Sequence, residues 1–168
     1  MNFKEGLVKV TTFIFDVDGV ISEDRFYFFD EKPIKSFNLK DGYAMQLALK
    51  KGYRLCVISG SHTESMKDRL HALGISHLFF RQSDKLSCYE SFIQAEKISH
   101  DEILYMGDDL PDYEVMKLVG VPVCPADAAH EIKSISKYVS PRKGGEACVR
   151  DVIEQVMRCQ GTWEIGGW

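Results

Sequence analysis

The sequence predicts an α/β fold, a parallel sheet with helices on both faces. Three observations lead there. Short apolar runs of β-formers alternate with helical patterns along the chain. Several of those runs end directly in Asp, Ser and Gly residues, as strands do where they meet a loop. The helical stretches carry start and stop signals at their ends.

The elements follow in order. Val10 to Phe15 reads as the first strand. Asp41 is expected to cap a helix through Lys51, stopped by Gly52. Arg54 to Ser59 reads as a buried strand. Ser61 and Glu64 have the spacing of a capping box, for a helix ending at Gly74. His77 to Phe80 is a short apolar run, and Lys85 to Lys97 is helical with Ser83 or Asp84 as its cap. Ile103 to Met106 is a clear strand. Pro111 sits in the first turn of a helix closed by Gly120. Val121 to Cys124 is another short strand, and helices are expected over Ala128 to Ser136 and Ala147 to Cys159. The whole predicts a Rossmann-like sheet in one domain spanning 1–168.

Two regions break the rhythm. Arg25 to Phe37 resembles a hairpin around Asp30-Glu31-Lys32-Pro33, with four consecutive aromatics from Phe26 to Phe29. At least one of its faces must be apolar, and a protruding aromatic hairpin fits packing against another subunit better than against its own core. The tail from Gly161 to Trp168 either stays disordered or docks through Trp163 and Trp168.

Composition sets the bounds. A chain of 168 residues is large enough for a real core. A net charge of -4 offers no general attraction for nucleic acid. No apolar run is long enough to span a membrane, and the N-terminus lacks a signal-peptide pattern. The five cysteines are dispersed without a Cys-x-x-Cys pair, which favours reduced thiols in a cytoplasmic protein. The five histidines lack metal-ligand spacing, with His62 the one to watch.

The residues that could carry chemistry cluster after the strands. Asp16 and Asp18 follow the first one, two residues apart, and so can lean into one crevice at the sheet's carboxyl edge. Two close carboxylates need a cation, a shared proton or a strong partner. The bland alternative is a solvated Asp-x-Asp-Gly turn. Ser59-Gly60-Ser61 supplies a hydroxyl and free amides suited to an anion, or is a plain loop. Lys85 opens a helix against its dipole, which suits service to an anion or a carboxylate, or a solvated lysine. Asp108, Asp109 and Asp112 then place three acids within five residues after a strand. Asp109 or Asp112 could cap the next helix, but hard oxygen ligands gathered on a loop suit Mg²⁺.

Taken together, Asp-x-Asp-Gly-Val, Ser-Gly, Lys and Gly-Asp-Asp-x-x-Asp occur in the order of the four motifs of the haloacid dehalogenase superfamily. The chain resembles its aspartate-nucleophile phosphotransferases over roughly residues 10 to 125. The resemblance implies Asp16 as nucleophile and Asp18 as general acid and base. It implies Mg²⁺ held by Asp16, Asp108 and the backbone carbonyl of Asp18, with Asp109 in support. Ser59 and Gly60 would bind the phosphoryl oxygens, Lys85 would offset charge, and Asp112 would orient Lys85 or metal-bound water.

The gaps between motifs hold only the hairpin, single helices and a short strand, so no cap domain is expected. Ile34 to Asn38, Asp41-Gly42, the Gly-Asp-Asp-Leu-Pro-Asp loop and Lys143 to Arg150 resemble the capless tetrameric phosphatases acting on 3-deoxy-D-manno-octulosonate 8-phosphate. That resemblance implies a homotetramer with shared active sites, a small sugar-acid phosphate as substrate, and a role in lipopolysaccharide synthesis. Lys40, Asp41 and Arg150 would shape the sugar site. Arg150 has two readings: a fork onto the substrate carboxylate, or a surface pair with Glu146 or Glu154. The family often has arginine after Ser-Gly. Here Ser61-His62 follows, leaving His62, Lys67 or Arg69 to supply positive charge. The alternatives are a relative acting on the nine-carbon 2-keto-3-deoxynononate 9-phosphate, a non-catalytic assembly module, and a broad housekeeping phosphatase.

Overall fold

The computed structural model describes residues 3–164. Its strands are β1 (Thr12–Phe15), β2 (Tyr27–Phe29), β3 (Lys32–Ile34), β4 (Arg54–Ile58), β5 (His77–Phe79), β6 (Ile103–Met106), β7 (Val121–Cys124) and β8 (Tyr138–Val139). Its helices are α1 (Phe3–Leu7), α2 (Leu39–Lys50), α3 (Glu64–Ala72), α4 (Lys85–Glu96), α5 (Tyr113–Leu118), α6 (His130–Ile135) and α7 (Cys148–Cys159). Six strands form one sheet in the order β5-β4-β1-β6-β7-β8, and every neighbouring pair is parallel.

Side-chain alternation along the strands sorts the core into two layers. Phe13, Phe15, Leu55, Val57, Leu104 and Met106 face α1, α2, α3 and α7. Ile14, Cys56, Ile58, Ile103 and Tyr105 face α4, α5 and α6. All four β1 residues are buried, as a central parallel strand requires. Each large side chain fully buried there contributes about 1.5–3 kcal/mol.

The strands expected over Ile103–Met106 and Val121–Cys124 have those bounds. Two elements were not foreseen, α1 and the two-residue edge strand β8, both too short to carry a period. Two expected caps are corrected. The α2 cap is Asn38, whose side chain accepts from the Lys40 N–H at 3.0 Å, and Asp41 lies inside the first turn. Helix α3 begins after Thr63 without a side-chain cap. Ser61 and Glu64 make no capping box: Glu64 turns to His62 at 2.8 Å, and the Ser61 hydroxyl turns to Asp18.

Strands β2 and β3 form a separate antiparallel hairpin closed by Asp30 and Glu31, both at positive φ, as a tight two-residue hairpin turn requires. It projects from the sheet with Phe28 and Phe29 72% and 74% exposed. No helix among the described residues is long and apolar enough to cross a membrane. Cys56, Cys88, Cys124, Cys148 and Cys159 are free thiols. Trp163 docks its ring under the Arg150 guanidinium at 4.7 Å. Trp168 lies outside the described residues.

Candidate active site

From β1 the chain steps outward through β4 to β5, and from the adjacent β6 it steps the other way through β7 to β8. The crevice between β1 and β6 is therefore the topological switch point, where open α/β sheets take their ligands. Asp16 leaves β1 there, its N–H donating to the Met106 carbonyl at 3.1 Å, and Asp108 leaves β6 two residues beyond Met106.

Local sequence fixes these two acids against each other. Gly19 adopts φ +74°, and a Cβ on it would lie 1.9 Å from Asp108 Oδ2, so the Asp108 carboxylate occupies space that any side chain at 19 would fill. A Cβ on Gly107 would similarly meet the Asp112 side chain at 2.5 Å. The Gly144-Gly145 segment supports the loop from behind: Gly145 N–H donates to the Val20 carbonyl at 2.9 Å, and a Cβ on Gly144 would meet the Gly19 carbonyl oxygen at 2.1 Å.

Lys85, at the start of α4, sits under both acidic loops. Its Nζ pairs with Asp16 Oδ2 at 2.7 Å and Asp112 Oδ1 at 2.8 Å. Asp112 is fully buried and also accepts from the Tyr105 hydroxyl at 2.6 Å. The remaining Asp16 oxygen accepts from the Val17 N–H at 2.6 Å. These two carboxylates are what places a lysine at an unfavourable helix end. Burial pulls the ammonium pKa down, but Asp112 and Asp16 together outweigh it and hold Lys85 charged.

The acids outnumber that ammonium. Asp16, Asp108 and Asp112 bring carboxylate oxygens within 4.8 Å of one another. Burial, then the charges of Asp16 and Asp112, push Asp108 up to about 8. Burial and the Asp112 charge also raise Asp16, against the pull of Lys85 and the Val17 N–H. A divalent cation would remove that penalty, and an all-oxygen donor set suits a hard one. The residues present fit such an ion.

A pocket of about 380 Å³ opens over the cluster, lined by Asp16, Asp18, Gly60, Ser61, Lys85, Asp108 and Asp109 among others. Ser59 is buried beside it, its hydroxyl 3.3 Å from that of Ser61. Asp109 lies on the pocket wall but outside the close trio, where Asp112 stands instead.

The expected sugar-site residues are placed elsewhere. Lys40 and Arg150 line separate cavities alongside α7, one of about 410 Å³ that includes Tyr43 and Trp163. The salt-bridge reading of Arg150 holds in the structure, with Nε 2.8 Å from Glu154. Asp41 is fully buried, and its Oδ1 accepts from the Arg150 N–H at 2.6 Å. His62 pairs with Glu64, Lys67 lies 3.6 Å from Glu64, and Arg69 stacks on Phe37, so none of the three lines the pocket. Lys35 was missed. Nothing in a hairpin arm announces that its ammonium is brought to Asp18.

This fold and acidic switch-point site define a haloacid dehalogenase-like hydrolase, and residues 75–149 match the model of that family. The 3-deoxy-D-manno-octulosonate 8-phosphate phosphatase of Yersinia pestis is 34% identical over 157 residues, which is 93% of this chain and 84% of that protein. The chain belongs to this phosphatase family and is a phosphoric monoester hydrolase. A solved structure of the Yersinia pestis enzyme superposes with a TM-score of 0.92 at 32% identity, covering 95% of this chain and 87% of that one. The enzyme of Moraxella catarrhalis, solved in complex with magnesium ion, phosphate ion and the sugar acid, superposes at 0.91 with 28% identity, covering 95% and 92%.

Proposed function

We propose that this chain is a Mg²⁺-dependent phosphatase that hydrolyses 3-deoxy-D-manno-octulosonate 8-phosphate to the free sugar acid and phosphate. The observation that carries the reading is the Asp16–Lys85 pair, 2.7 Å apart beside Asp108 at the mouth of the switch-point pocket. The complex of the Moraxella catarrhalis relative supports the choice of metal and sugar.

The chain's own residues supply both halves of the reaction. Asp16 attacks phosphorus, the bond from phosphorus to the sugar oxygen breaks, and Asp18 gives its proton to that oxygen. Asp18, now a carboxylate, takes a proton from water. The water oxygen attacks phosphorus, releasing phosphate and regenerating Asp16. Ser59 and the Gly60 amide receive phosphoryl oxygens. Lys85 holds Asp16 in line, and Asp112 and Tyr105 hold Lys85. Asp16 and Asp108 would hold Mg²⁺, with Asp109 on the rim; bound there, the ion neutralises charge that builds on the phosphoryl group.

The wider setting belongs to the same proposal. The whole chain acts as a single catalytic domain in the cytoplasm, in lipopolysaccharide synthesis. The exposed aromatics of the β2–β3 hairpin support a homotetramer, in which neighbouring subunits cover a pocket that no cap domain closes. Lys40 and Arg150 then reach a sugar through that assembly. Phosphate release across a panel of eight- and nine-carbon keto-deoxy acid phosphates and hexose phosphates, with Mg²⁺, tests the substrate. A preference for the eight-carbon acid is expected. Preference for the nine-carbon acid moves the substrate, and a flat profile overturns the specific reading.

A further inference from the structure

Asp18 is held by two residues that belong to neither acidic loop. Lys35, the first residue after β3, turns back from the exposed hairpin so that its side chain is 1% exposed. Its Nζ pairs with Asp18 Oδ1 and donates to the Ser61 hydroxyl at 2.7 Å. The Ser61 hydroxyl in turn donates to Asp18 Oδ2. Both carboxylate oxygens of Asp18 are thereby tied, one to the hairpin and one to the loop after β4. Lys85 is committed to Asp16 and Asp112, so the ammonium at Asp18 comes from the hairpin.

Geometry gives this arrangement a purpose. Asp18 is 35% exposed, so without partners its carboxylate could rotate among staggered rotamers and spend time in solvent. Proton transfer requires the carboxyl to stay within hydrogen-bond reach of the oxygen it serves. The Lys35 ammonium also lies 4.7 Å from the Phe26 ring centroid, which ties its position to the first arm of the hairpin. The Ser61 side chain is short, which leaves room for Lys35 to reach in beside it.

We propose that Lys35 and Ser61 are positioning residues that hold the Asp18 carboxylate where it takes a proton from the attacking water, so that the hairpin takes part in catalysis through Lys35. This rests on Asp18 being the acid and base of the proposed reaction.

The test compares two phosphomonoesters with Lys35→Met and Ser61→Ala, in enzyme of full length with Mg²⁺. The sugar-acid phosphate has an alkyl leaving group that needs a proton. Nitrophenyl phosphate has a leaving group that needs none. With Lys35→Met, kcat on the alkyl ester is expected to fall about 100-fold with KM within about threefold, the size of a lost acid–base contribution. On the aryl ester the first step survives and hydrolysis of the phosphorylated Asp16 slows, so nitrophenolate appears as a burst matching the enzyme concentration. Ser61→Ala is expected to give the same pattern, smaller. Wild-type kcat in Lys35→Met overturns the proposal, as does an equal loss on both esters without a burst. If Lys35→Met does not fold, Ser61→Ala decides by the same criteria. Full activity in Asp18→Asn would instead overturn the underlying reading, whatever the two variants do.

Discussion

The Asp41 carboxylate on α2 caps α7, accepting the Arg150 N–H at 2.6 Å across 109 residues of sequence. Helix α7 begins after Ala147, which sits at φ 71° and offers no side-chain cap of its own. The cap comes from a neighbouring helix instead, and it joins the two helices that pack most extensively on that face. The other Asp41 oxygen is buried without a hydrogen-bond partner among the described residues.

That burial sets a pH dependence. Loss of solvent raises Asp41 to about 7, against a modest pull from the Arg150 N–H and charge. An unfolded aspartate titrates near 4, at about 3.9. Between these values the folded state binds the extra proton, so stability falls as pH rises from about 4 to about 7. Asp41→Asn removes this contribution. Denaturant titrations at pH 5 and pH 8 should show a smaller loss of stability over that interval in the variant than in wild type. Parallel pH profiles would contradict it.

Binding of Mg²⁺ should release protons. Asp108 is raised to about 8 and Asp16 is raised too, and a carboxylate must be ionised to ligate. Calorimetry at pH 7 in buffers of different ionisation enthalpy is expected to report release approaching one proton or more, declining by pH 9. Affinity should rise over the same range, and Asp108→Asn should abolish the Mg²⁺-induced rise in Tm. Affinity independent of pH would count against the acidic cluster as the metal site.

Gly144→Ala probes the support behind the catalytic loop. The new methyl would start 2.1 Å from the Gly19 carbonyl oxygen, and Gly19 in turn leaves no room before Asp108. Overpacking of this kind costs about 1–3 kcal/mol. Thermal unfolding should show that loss, and kcat should fall with it because the displaced backbone carries Asp18. A variant as stable and active as wild type would mean the contact relaxes freely.

Phe28→Ser with Phe29→Ser tests the role of the hairpin in assembly. Both rings are exposed on β2, outside the six-stranded sheet, so folding of that sheet should survive. Sedimentation should show a smaller particle than wild type. An unchanged oligomer would place the interface elsewhere.

The sequence made the sheet legible because its central strands are continuous apolar runs with turn residues at their ends. Ile103–Met106 needs no knowledge of its neighbours to read as a strand. The acidic site was legible for the same reason: Asp16, Lys85 and Asp108 follow elements whose ends are visible locally. Choice among nearby polar partners was not. Asn38, Asp41 and Ser61 are all good capping residues. Which one caps depends on Arg150 and Asp18, brought near by the fold. Lys35 was hidden because its role exists only when the hairpin turns it back toward the sheet. Arg150 had two readings until Glu154 and Trp163 were seen around it.

If Asp16 is the nucleophile, it becomes phosphorylated during turnover. Acid quenching of Asp18→Asn during turnover of a labelled aryl phosphate with Mg²⁺, followed by peptide mass analysis, tests it directly. The account predicts a phosphoryl group on the peptide containing Asp16, absent when Asp16→Asn is added. Label on another residue, or turnover that persists with Asp16→Asn, would contradict it.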